Sequence, residues 1–220
     1  AGHQLENGKT VPFYQFRHLT FQEYLAATAV AEGNYNGYKK TSNVLHPIKN
    51  VLTTDEWKEV IPMTAVLAGK QAHPLISELA KRAQRVRSAL LNNKSFLGKK
   101  EWLNFNGTPP AAVARLIQCC IEEAEIEPDL IDSILETCAI FCRGGRTEAD
   151  WLALCQGPFG DRLINQAQLI YESGKYTSST WSRNTFAHLA VIKHKKAYWY
   201  SRQGENEIKS LIHSNSNQEQ

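Results

Sequence analysis

What this chain of 220 residues lacks narrows its chemistry before any motif is considered. No apolar run approaches the roughly 18 residues that a bilayer span needs, and no apolar core of a signal peptide opens the chain. The expectation is a cytoplasmic protein with no membrane partner. Hydrolytic signatures are missing as well: there is no Gly-x-Ser-x-Gly elbow, no His-Glu-x-x-His pair and no cysteine in a catalytic setting. Nothing argues for an active site, so no catalytic residue is assigned and the chain is expected not to be an enzyme. The Gly-x4-Gly-Lys-[Ser/Thr] loop, whose backbone N–H groups wrap phosphates at a helix start, is also absent. Gly8-Lys9-Thr10 supplies its last letters with no glycine five residues earlier, and Gly144-Gly145-Arg146 lacks the lysine.

A strong charge of one sign is lacking too. Lys and Arg number 25 against 22 Asp and Glu, and a net charge of +3 is too small to identify a polyanion partner. Five cysteines form an odd set in an intracellular-looking sequence, which argues against a disulfide framework. Cys138 and Cys142 lie one helical turn apart and Cys119-Cys120 fall on the preceding segment, so a thiolate metal site is geometrically conceivable. Structural zinc sites, however, favour paired cysteines in turns, whereas these interrupt apolar helix faces such as Leu116-Ile-Gln-Cys-Cys-Ile121. Buried free thiols are expected, with no metal.

What is present is ordinary for a folded globular chain, with 42% hydrophobic and 21% charged residues, enough for one domain or for one domain with a short appendage. After Phe16 almost nothing has strand periodicity. One design recurs instead: a proline or small polar residue opens a segment, apolar residues step by three and four, and Gly or Asn ends it. Thr53-Thr-Asp-Glu56 has capping-box spacing ahead of Trp57, Val60, Ile61, Thr64, Ala65 and Ala68, with Pro62 expected to bend or divide the helix. Pro74 opens Leu75 to Leu91, Pro109-Pro110 open Ala111 to Ile126, and Pro128 opens Asp129 to Cys142. A short helix reaches Cys155, another carries Leu163, Ala167, Ile170 and Tyr171, and a long one runs from Ser178 or Ser179 to about Ser201. Gly33 to Asn50, rich in Gly, Asn, Lys and Ser, has the look of a surface connection. The expected class is all-α, an irregular helical bundle or a HEAT-like stack of antiparallel helices. Residues 36–203 would form the helical domain, and residues 204–220 a short helix fading into a disordered tail.

The N-terminal segment is the most distinctive. Val11-Pro-Phe-Tyr-Gln-Phe16 alternates as a short strand, Thr20-Phe-Gln-Glu23 has capping-box spacing with Thr20 as N-cap, and Phe21, Tyr24, Leu25 and Thr28 share one helical face that Gly33 can close. His18 then sits at a strand-to-helix corner, where a histidine can simply tie strand to helix.

The run Phe16-Arg-His-Leu-Thr-Phe-Gln-Glu-Tyr-Leu-Ala-Ala27 resembles the end of the winged-helix domain of NACHT-family proteins of the STAND class. A weaker likeness, Trp57-x-x-Val60 in a helix ending Ala68-Gly69, extends it. The resemblance implies that residues 1–35 are the end of a winged-helix switch element with a remnant strand. It also implies that His18 contacts the β-phosphate of ADP held by a P-loop domain outside this chain. ATP or ADP and Mg would belong to that longer NTPase, and this chain would hold no cofactor of its own. The partners implied are the missing N-terminal NTPase domain, further copies on activation and an unidentified trigger. The setting implied is antiphage or innate immune defence, with the short helical region pointing to a bacterial protein.

Two basic stretches suggest a different class. Lys81-Arg-Ala-Gln-Arg-Val-Arg87 and Lys193-His-Lys-Lys-Ala-Tyr-Trp-Tyr-Ser-Arg202 combine cations with helical patterning, and in the second, rings sit among the charges. Lys193, Lys195, Lys196, Trp199 and Arg202 are thus candidates for stacking and neutralising nucleic acid. The same residues also suit a helix packed on its neighbour, with cations near its C-terminus complementing the dipole. A regulatory or sensor region of a NACHT-like NTPase leads, with a helical nucleic-acid module or a protein-interaction scaffold as alternatives.

Overall fold

A computed structural model of the protein describes residues 2–6, 9–13, 19–39, 42–92, 109–142 and 148–173. Strands β1 (Gly2–Glu6) and β2 (Lys9–Phe13) form an antiparallel ribbon in which Gly2 faces Phe13 and Glu6 faces Lys9. The expected strand at Val11–Phe16 is therefore the second half of a hairpin and starts earlier. The intervening Asn7-Gly8 pair is a strong two-residue hairpin signal in the sequence.

Among the described residues everything else in regular structure is helix, and the class is all-α. Helix α1 spans Leu19–Glu32, so Thr20 lies inside its first turn and is not the N-cap. Its other end follows the expectation. Gly33, at φ 76°, takes the left-handed conformation. The Asn34 N–H donates to the Ala29 carbonyl at 2.7 Å and the Gly33 N–H to Val30 at 3.4 Å. That pair of bonds is a Schellman stop, which satisfies carbonyls the helix cannot.

The segment from Gly33 to Asn50 is not merely a surface connection. It contains the single turn α2 (Leu45–Ile48), and Val44 and Ile48 are buried in the core with Leu52. A short apolar trio within a polar stretch is enough to anchor it. The second capping box also fails to form. Thr54 makes no capping bond; its hydroxyl donates back to the Val51 carbonyl at 3.2 Å, and a single 3-10 turn, Asp55–Trp57, follows. Helix α3 (Val60–Ala68) starts afterwards, with Pro62 in its first turn, where a missing N–H leaves no bond unmade. Another 3-10 turn, Gly69–Ala72, leads into α4 (His73–Asn92).

Helix α5 runs Ala111–Ile121 and stops short of Ile126. Glu123, at φ 58°, is the C-terminal left-handed residue, with Ala124 N–H donating to the Cys119 carbonyl at 2.9 Å and Glu123 N–H to Cys120 at 3.3 Å. This is the same stop as at Gly33, built on a glutamate, and composition alone does not announce it. Helices α6 (Pro128–Phe141), α7 (Glu148–Gln156) and α8 (Gly160–Glu172) lie where prolines and glycines placed them.

Helix α1 packs on α3, and α3 and α4 pack on α5. Helix α4 also meets α6, α5 meets α6 and α7, and α8 closes against α6 and α7. One apolar core runs through the body, with Leu79, Leu116, Ile117, Ile134, Leu135 and Trp151 fully buried. Polar side chains clamp the outer side of α6. Arg87 of α4 makes a bidentate pair with Glu136, Gln84 donates to Ser133 at 2.8 Å, and Arg162 of α8 donates to Asp132 at 2.9 Å.

Candidate functional site

The residues that sequence patterning singled out divide sharply. His18 and the basic and aromatic set Lys193, Lys195, Lys196, Trp199 and Arg202 lie outside the described residues, as does the proposed tail over residues 204–220. Helix α1, which carries the rest of the N-terminal motif, is described in full, and its packing inverts the usual arrangement. Ala27 and Val30 are its buried positions, while Leu19, Phe21, Tyr24 and Leu25 expose between 47% and 66% of their surface. Phe21, Tyr24, Leu25 and Thr28 do share a face, as their spacing predicts. It is the face opposite Ala27 and Val30.

The local reason lies in residue size. Ala27 and Val30, small beside the aromatic residues, are buried where α1 packs on α3, and Phe21, Tyr24 and Leu25 are left on the far side. A helix with apolar residues on both sides is ordinarily covered on both. Among the described residues, the large apolar side chains left exposed are concentrated at this end: four on α1, Tyr38 just after it, and Val66 and Leu67 on α3, with Leu169 apart on α8. Covering the four on α1 would withdraw on the order of 400 Å² from water, roughly 10 kcal/mol before the ordering costs of association. No lysine or arginine occurs on α1, and its only charged residues are Glu23, on the side of Val30, and Glu32.

The first basic stretch has a structural assignment. Arg82 donates to Glu78 at 3.1 Å and to the Lys49 carbonyl at 2.7 Å, tying the end of α2 to α4, and Arg87 is held by Glu136. The hydrogen bond from Arg82 holds the Glu78 carboxyl below its ordinary value, against a smaller opposing effect of burial. Lys81 and Arg85 remain exposed, two cations on a solvated face.

All five cysteines are buried, and none is in a disulfide. Burial pushes Cys119 and Cys138 up to about 12 and raises Cys120 and Cys142 well above the ordinary thiol value. Neutral thiols in an apolar core are poor nucleophiles and poor ligands. Among the described residues no group of His, Cys, Asp and Glu side chains is gathered as an ion site, and no helix is long and apolar enough to cross a membrane. One buried cation sits beside the thiols: Arg115 donates from Nη2 to the Thr54 carbonyl at 3.2 Å. Burial lowers its pKa, with Asp55 and Glu59 opposing. It fastens the turn before α3 to α5.

Comparison with known proteins finds no matching family model, no matching curated protein and no matching solved structure. Among the described residues, the exposed large apolar side chains are most numerous on α1.

Proposed function

We propose that this chain is a non-catalytic regulatory region that works by docking, through the outer face of α1, onto a nucleotide-binding switch domain of the NACHT type outside this chain. The observation that carries the reading is a coincidence. The residues that resemble the family's winged-helix run include Leu19, Phe21, Tyr24 and Leu25, the same side chains that stand exposed on α1. In this arrangement the helical body anchors α1 through α3, and His18, immediately before α1, meets the phosphate of bound ADP across the junction. An imidazole suits that role, since it donates a hydrogen bond while neutral and adds attraction when protonated. ATP or ADP and Mg belong to the switch domain. Release of α1 by a trigger would free that domain to exchange nucleotide and assemble, in antiphage or innate immune signalling within the cytoplasm.

Calorimetry of this chain alone should detect no specific ADP or ATP binding, because one donor without a phosphate cradle cannot pin a nucleotide. In the protein that joins it to a nucleotide domain, His18→Ala should lower the ADP retained on purification. Tight stoichiometric nucleotide binding by this chain alone, or unchanged ADP retention in the variant, would overturn the assignment. The same exposed face also favours a general protein-interaction scaffold. That reading gains if Tyr24→Asp abolishes partner capture while His18→Ala changes nothing.

A further inference from the structure

We draw no further inference here: the strongest candidate, the exposed apolar patch of Val66 and Leu67 on α3, the helix that packs against α1, adjoins the docking element already described, and nothing in the structure shows what covers it.

Discussion

Two left-handed residues, both ending helices by the same pair of bonds, respond oppositely to substitution. Gly33 has the conformation its residue type favours, and a Cβ there would also come within 2.5 Å of the Tyr38 ring. Gly33→Ala should therefore destabilise the protein by about 2 kcal/mol, combining left-handed strain with the displaced ring. Glu123 pays the strain that Gly33 avoids. Since a left-handed L-residue costs roughly 1–2 kcal/mol and a glycine loses roughly 0.5–1 kcal/mol of extra chain entropy, Glu123→Gly should stabilise by about 0.5–1 kcal/mol. Urea denaturation of the two variants measures both, and a loss of stability in Glu123→Gly would refute the account of that stop. The thiols make a second prediction at this scale. Iodoacetamide at neutral pH should leave the native protein unmodified at Cys119, Cys120, Cys138, Cys142 and Cys155, then label all five in denaturant. Because the folded pKa of Cys119 and Cys138 is raised to about 12, their contribution to stability is fully present below the unfolded thiol value. It declines as pH rises from there toward the folded value. Glu78 has the opposite sign: its lowered pKa stabilises above the ordinary carboxylate value and is lost as acid protonates it.

At the scale of elements, α1 separates fold from docking. Tyr24→Asp and Leu25→Asp alter exposed positions and should change stability by no more than about 0.5 kcal/mol. Ala27→Asp places an unpaired charge at a fully buried contact with no room for it and should cost several kcal/mol, on the order of 3 or more. Thermal melts of the three variants distinguish these outcomes, and a large loss in Tyr24→Asp would mean that this side chain supports the fold. The helices α4, α6, α7 and α8 were legible in the sequence because Pro74, Pro128, Gly157 and Ser173 mark their limits in ways every residue obeys locally. The capping boxes were not. Thr20 and Thr53 have the right spacing, yet a threonine hydroxyl has competing carbonyls nearby, and the second turn starts one residue later, after Thr54, whose hydroxyl bonds Val51 instead. The end of α5 was illegible for a related reason: a glutamate adopts the left-handed conformation only when surrounding packing, including buried Ala124, compensates for it.

For the molecule as a whole, the lateral clamp on α6 should be the main polar contribution that survives scrutiny. Arg87 and Glu136 are mostly buried and bidentate, so a double-mutant cycle with Arg87→Ala and Glu136→Ala should give a coupling of about 1–2 kcal/mol. A coupling near zero would place the pair with ordinary surface bridges. The sequence by itself determined that the chain is helical, roughly where its helices fall, and that its cysteines belong to apolar faces. Helical periodicity and the punctuation of proline and glycine are local properties, and local properties are written residue by residue. Only the tertiary structure decided that α1 turns Ala27 and Val30 inward and its aromatic side outward, that Val44 and Ile48 enter the core, that Arg82 reaches the Lys49 carbonyl and that Arg87 binds a carboxylate of α6. Periodicity says which side chains share a face. Which face is covered depends on what else packs there, and that is settled by residues distant in the chain.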